Sequence, residues 1–104
     1  MTKSIRVKRA KSTLARVRGL IGQTDIEPLM IETRFGIHTF GMKRKMDVVI
    51  LNKNYNIALT KSNMKPSRVF LWNPIFKFVL ELPNDYIKDQ KLKVGDKLNL
   101  KIMD

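Results

Sequence analysis

The sequence predicts an α+β, mostly β domain: a compact antiparallel or mixed barrel-like sheet of six to eight short strands with two short helices. Three observations carry this. Apolar and polar residues alternate over short windows, most plainly at Phe76/Phe78/Leu80/Leu82 and Leu98/Leu100/Ile102, the period-2 pattern of half-buried strands. Turn formers punctuate these windows at short intervals: Asn52-Lys53-Asn54, Asn73-Pro74, Pro83-Asn84 and Gly95-Asp96. Regular strand–helix alternation is absent, as are Gly-x-Gly-x-x-Gly and Gly-Lys-Ser/Thr phosphate loops, which disfavours a doubly wound nucleotide-binding fold. A chain of 104 residues forms one core, so residues 1–104 are read as a single domain.

The elements follow in order. Ile5 and Val7 alternate with charged residues and read as a half-buried strand. Ser12 or Thr13 caps a short helix to about Arg18, with Leu14, Val17 and Ile21 on one face and Gly19 as its stop. Leu29-Met30-Ile31 is a short strand broken by Gly36, and Ile37 to Phe40 a further extended piece broken by Gly41. Met46 to Leu51 is apolar on both faces apart from Asp47, which suits a central covered strand. A turn at 52–54 returns the chain as Tyr55 to Thr60 in a hairpin. Lys61 to Ser67 reads as a polar loop, and Val69 to Trp72 as an edge strand. Phe76 to Leu82 is a strand, Asp85 to Gln90 a short helix capped by Asn84, and Leu98 to Ile102 the closing strand.

Composition bounds the function. No apolar run approaches the ~18 residues of a membrane span. The basic start lacks an apolar signal core, since Arg6 and Lys8 interrupt Ile5 and Val7, so a cytoplasmic location is expected. There is no cysteine, hence no disulfide, thiolate nucleophile or Cys-type zinc site. The formal net charge is +12, and Lys3, Arg6, Lys8, Arg9, Lys11, Arg16 and Arg18 all precede the first acid, Asp25. Such a chain attracts polyanions whatever its fold, though a lysine-rich surface can also serve solvation alone.

The segments Ala15-Arg16-Val17-Arg18-Gly19-Leu20, His38-Thr39-Phe40-Gly41-Met42, Met46-Asp47-Val48-Val49, Val79-Leu80-Glu81-Leu82 and Val94-Gly95-Asp96 resemble, in order and spacing, the domain of unknown function 192 family, also called uncharacterised protein family 0127. The resemblance covers roughly residues 5–102, and its middle segment is the specific part. It implies a compact, mostly β domain with small helices, no known cofactor and no established activity. Lys45 stands where the family usually has proline, and Pro83-Asn84 where it usually has a small pair. These departures bear on how the central strand is entered and how the late helix is capped.

His38, the only histidine, and Met42 invite a metal reading. Residues four apart in a strand are about 13 Å apart, and composition offers no further His or Cys, so no metal or cofactor is expected. Asp47 interrupts an apolar strand, and a buried carboxylate costs several kcal/mol unless paired. A backbone N–H, Thr39, His38, Arg16, Arg18 or Arg44 could satisfy it. The preferred reading is a polar clasp pinning the strand to the preceding loop, ahead of a general base beside His38. Glu81 is a second carboxylate whose distance from Asp47 is not legible. Arg16 and Arg18 lie on different faces of their helix, so one can reach inward. Phe70, Trp72, Phe76 and Phe78 interleave with Arg68 and Lys77; such a stripe is more often core than a base-stacking platform.

Three functions stay open, in this order. The first is a small binding or accessory domain with a pocket near the Gly36–Asp47 loop, its clasp or pocket residues drawn from His38, Thr39, Met42, Asp47, Glu81, Arg16 and Arg18. The second is a nucleic-acid-binding protein taking RNA or DNA on its basic surface through Arg6, Lys8, Arg9, Lys11, Arg44 and Trp72. The third is a hydrolase-like enzyme using Asp47 with His38 or Glu81. No membrane association is expected, and the protein is read as a monomer or weak dimer.

Overall fold

The structure, a computed structural model, describes residues 2–10, 28–34, 36–39, 42 and 44–103. The helix expected to end at Arg18, and Lys11, Phe40 and Gly41, lie outside the described residues. Among the described residues, eight strands and one helix follow in chain order: β1 (Thr2–Ala10), β2 (Leu29–Glu32), β3 (Ile37–His38), β4 (Met46–Leu51), β5 (Ile57–Met64), β6 (Val69–Phe70), β7 (Phe78–Pro83), α1 (Tyr86–Asp89) and β8 (Lys97–Met103). Six strands form one mixed sheet in the order β5-β4-β7-β2-β1-β8, and β3 pairs with β6 in a small second sheet. β1 runs parallel to both β2 and β8; the other pairs are antiparallel.

The large sheet curls into a half-barrel because its two edges meet at one corner. Asn56 bridges to Lys97, the Ile57 N–H donates to the Asp96 carbonyl at 2.8 Å, and the Leu98 N–H donates to the Tyr55 carbonyl at 2.9 Å. Strand alternation then sorts side chains to two faces. The concave face carries Ile5, Val7, Met30, Val49, Leu51, Leu80, Leu82 and Leu98, sealed by Ile87 of α1 and Leu92 after it. The convex face of β4 and β7 carries Met46, Val48, Ile50 and Val79, with Ile37 of β3 and Met64 of β5, and is covered by Met42, Phe70, Trp72 and Phe76. β4 lies between the two clusters, so all six of its residues are buried. Each aliphatic side chain so buried contributes on the order of 1.5–3 kcal/mol.

Three local expectations are corrected. Lys61 to Met64 is not loop: β5 runs on to Met64, polar because most of that stretch is solvent-exposed, with a bulge between the Met46–Met64 and Val48–Lys61 pairs. The edge strand at 69–72 is shorter, Val69–Phe70, and belongs to the small sheet. Asn84 does not cap the late helix. Asp85 occupies that position with φ 70° and makes no side-chain capping bond, and α1 takes its cap from elsewhere. Among the described residues, no helix is long and apolar enough to cross a membrane.

Gly36 is fixed by both conformation and space. Its φ is +120°, and a Cβ there would lie 2.5 Å from Leu71 Cδ2 and 2.7 Å from the Phe70 carbonyl oxygen. Gly95 has φ +95° but open space around it. Gly36→Ala is expected to lower stability by about 2–3 kcal/mol and Gly95→Ala by about 1 kcal/mol in urea denaturation. Equal losses would show that backbone strain alone, without the β6 contact, sets the cost at residue 36.

Candidate functional site

Asp47 is fully buried on the concave face, and both carboxylate oxygens are used. Oδ1 accepts the Asn63 N–H at 3.0 Å, and Oδ2 accepts the Ile87 N–H at 2.9 Å. Neither partner is chosen by side-chain chemistry. Asn63 sits in the β5 bulge with φ 58°, so its amide leaves the ladder and turns to the carboxylate. Ile87 is the second residue of α1, whose first-turn amides have no partner within the helix. Asp47 thus acts as the missing helix cap across the fold. The other end of α1 is held by Lys3, whose Nζ donates to the Gln90 and Lys91 carbonyls, each at 2.6 Å. Carboxylate at the start and ammonium at the end complement the exposed amides and carbonyls of this single turn.

Thr39 is the second buried clasp. Its Oγ1 donates to the Lys65 carbonyl at 2.8 Å and accepts the Arg68 N–H at 2.8 Å. Its own N–H donates to the Arg68 carbonyl at 2.8 Å, and its carbonyl accepts the Ser67 N–H at 3.1 Å. The chain from 65 to 68, which includes Ser67 at φ 60°, is therefore knotted onto one residue.

Asp47 and Thr39 together anchor the two ends of a single surface segment. Between those anchors is a cavity of about 330 Å³ lined by Lys61, Asn63, Met64, Lys65, Arg68 and Val69. Met64 is buried at its floor and Val69 is exposed at its rim. Three cations and one carboxamide line it, with no carboxylate. Sequence reasoning assigned Lys61 and Lys65 to a plain loop and named neither as a site residue. The signal available was the cation spacing around Asn63, which becomes legible only once the bulge is known.

The remaining candidates do not converge. Glu81 is fully buried and engaged, but it pairs in register with Val48 and Leu29 and so shares the convex face, while Asp47 is on the concave one. His38 pairs with Val69; alternation in β3 places Ile37 against the convex cluster and turns His38 the other way. The acid–base constellations of Asp47 with Glu81 or His38 are thereby corrected: the groups lie on different sides of the sheet layers, and both Asp47 oxygens already accept backbone amides. Nor does Asp47 take Thr39, His38 or Arg44 as its partner, as the sequence allowed. His38 and Met42 are each engaged, Met42 against the convex cluster. Arg16 and Arg18 lie outside the described residues. Trp72 is half-buried against the convex cluster, and its indole N–H donates to the Phe76 carbonyl at 2.8 Å, which fixes the ring in the fold. Arg6 and Lys8 share one face of β1, Arg9 takes the other, and Arg44 is exposed before β4. Among the described residues, no three His, Asp or Glu side chains come together as metal ligands would.

Asp47→Asn keeps the shape but sets an NH₂ against one of two backbone donors; the expected loss is about 2–3 kcal/mol, with faster hydrogen exchange at both Asn63 and Ile87. Thr39→Val is expected to lose about 1–2 kcal/mol and to loosen 65–68 while leaving the Ile87 amide protected, whereas Thr39→Ser keeps most of the stability. Unchanged exchange at Asn63 and Ile87 in Asp47→Asn would show that the carboxylate is not what holds them.

Comparison with known proteins agrees with this architecture. The profile of a family described as DUF192, uncharacterized ACR, COG1430, matches residues 1–100. A UPF0127 protein from Pyrococcus abyssi (strain GE5 / Orsay) is 33% identical over 72 residues, which are 67% of this chain and 61% of that protein. The match thus spans about three-fifths of the relative's length. A crystal structure of a protein of unknown function from Novosphingobium aromaticivorans DSM 12444 superposes with a TM-score of 0.73 at 15% identity, covering 88% of this chain and 71% of that one. A candidate transcription regulator from Sinorhizobium meliloti 1021 superposes with a TM-score of 0.67 at 15% identity, covering 86% and 76%. At such identities these two solved structures speak to the fold alone.

Proposed function

The chain belongs to the DUF192 family, and from that premise we propose that it is a small binding domain that holds an anionic ligand non-covalently in the cavity between Lys61 and Val69. One observation carries this: Lys61, Lys65 and Arg68 line a concave site with Asn63 and no acid. Three like charges around one hollow repel one another, and an oxyanion relieves that repulsion while accepting their hydrogen bonds. Arg68 supplies a planar fork suited to two oxygens of one group, and the lysines supply movable point charges. At about 330 Å³ the cavity is at the small end of ligand sites, so the ligand is a small phosphate- or carboxylate-bearing molecule.

The site is also preorganised. Its backbone is fixed from behind by Asp47 at residue 63 and by Thr39 at residues 65 and 68, so little ordering remains to oppose binding. Catalysis by Asp47 does not fit this arrangement: its oxygens are buried behind the cavity and saturated by amides.

Titration calorimetry with pyrophosphate and with citrate tests the reading. One or both should bind saturably, with amide shifts confined to 61–69. Lys65→Gln and Arg68→Gln should each weaken binding by about tenfold, a loss of ~1.4 kcal/mol. Lys53→Gln, at the β4–β5 turn, should leave it unchanged. Absence of saturable binding, or equal weakening by Lys53→Gln, would overturn the proposal.

A further inference from the structure

A second cationic surface lies on a different part of the sheet, on the convex face of β1 and β8. The parallel register sets Thr2 beside Lys97, Ser4 beside Asn99, Arg6 beside Lys101, and Lys8 beside Met103. All eight positions are exposed. They form the outward set of a two-strand ribbon, because Ile5, Val7 and Leu98 between them point into the concave core. Among the described residues this outward set contains four cations, hydroxyl and carboxamide groups, and no carboxylate. Of the described acids, Asp47 faces the concave side, Glu81 is buried, Glu32 lies 3.9 Å from Lys77, Asp85 and Asp89 belong to α1 and its start, and Asp96, just before β8, accepts the Lys93 N–H at 3.1 Å.

The pairing of Arg6 with Lys101 is the informative detail. Like charges directly opposite on neighbouring strands repel. A strand surface selected for stability alone would set an acid at one of these positions, and both β1 and β8 instead place cations there. Rows on a strand repeat every two residues, about 6.6 Å, so Arg6 and Lys8 on β1 run as a line of charge, with Lys97 and Lys101 as a second line beside it. Ser4, Thr2 and Asn99 fill the intervals with neutral groups able to hydrogen-bond phosphate oxygens.

We infer that the convex β1–β8 ribbon is a nucleic-acid backbone contact surface, with Arg6 and Lys101 at its centre. Its chemistry is that of a phosphodiester chain: a linear array of charge with hydrogen-bonding groups between, and no aromatic ring on which a base could stack. Binding is therefore backbone-directed and weakly sequence-selective. A lipid surface fits less well, because membrane-surface elements combine cations with a row of apolar anchors, and this face offers only Met103 at its end. The assignment moves the expected nucleic-acid residues. Arg9 faces the other way, Trp72 is held in the small-sheet cluster, and Lys97 and Lys101 enter from the far end of the chain.

Fluorescence anisotropy with a short labelled RNA and a short DNA duplex tests this, with salt varied from about 50 mM upward. Binding is expected, with log K falling linearly with log salt. Arg6→Gln and Lys101→Gln should each reduce the slope by about 0.9 on duplex or 0.7 on single strands, the value for one phosphate contact. Lys53→Gln and Lys88→Gln, which remove the same charge elsewhere, should keep the wild-type slope. Neutralising either partner should also raise Tm of the free protein, since it relieves the Arg6–Lys101 repulsion. No binding at about 50 mM salt would overturn the inference. So would equal slope changes in all four variants, a fall in Tm for both ribbon variants, or tighter binding to anionic-lipid vesicles than to either nucleic acid.

Discussion

A single buried carboxylate organises this molecule. Asp47 is the second residue of the fold's most apolar strand and is fully buried, where an unpaired charge would be untenable. Its two oxygens meet two amides that the ladder and the helix leave over, one at the β5 bulge and one in the first turn of α1. The relationship is reciprocal. The bulge and the helix start each expose a donor that would be costly to bury alone, and the carboxylate would be costly without them. Removing the carboxylate strands both amides, and removing either amide strands one carboxylate oxygen.

From that point the rest of the architecture can be traced. α1 is one turn long and could not persist alone. It stays because Asp47 holds its first turn, Lys3 holds the Gln90 and Lys91 carbonyls that follow it, and Ile87 fills the open side of the concave core. The same carboxylate fixes Asn63, and Thr39 fixes residues 65 and 68, so the cation-lined cavity is set by buried polar groups rather than by its own exposed side chains. The buried clasps and the cationic cavity are two sides of one segment.

Much of this was legible in the chain. Alternation at Phe78-Leu80-Leu82 and at Leu98-Leu100 placed two strands, apolarity on both faces placed β4 inside the sheet, and the interruption at Asp47 marked a buried polar group, one tied to β5 and α1 rather than to the preceding loop. What escaped has physical causes. β5 beyond Thr60 carries no period-2 signal because most of those residues face water, and a bulge then shifts the phase. The partners of Asp47 could not be named because an amide N–H belongs to every residue but proline, so nothing in the identities of Asn63 or Ile87 announces it. The separation of Asp47 from Glu81 depended on strand register, which fixes faces only once β4 and β7 are paired. The cavity depended on a loop that turned out to be a strand.

The parallel pairing of β1 with β8 has a consequence for biosynthesis. Residues 2–8 find their neighbours at 97–103, and β1 also sits between β8 and β2 inside the sheet. On the ribosome, one edge of β1 must wait until β8, 95 residues further on from Thr2 to Lys97, has been made. Pairing across such a distance closes a long loop before any contact rewards it, which slows folding and leaves an unpaired strand edge exposed in the meantime. The outward cations of β1 keep that waiting edge soluble, since charge on an open strand discourages pairing with other nascent chains. The same residues that give the finished protein its charged ribbon thus protect the unfinished one.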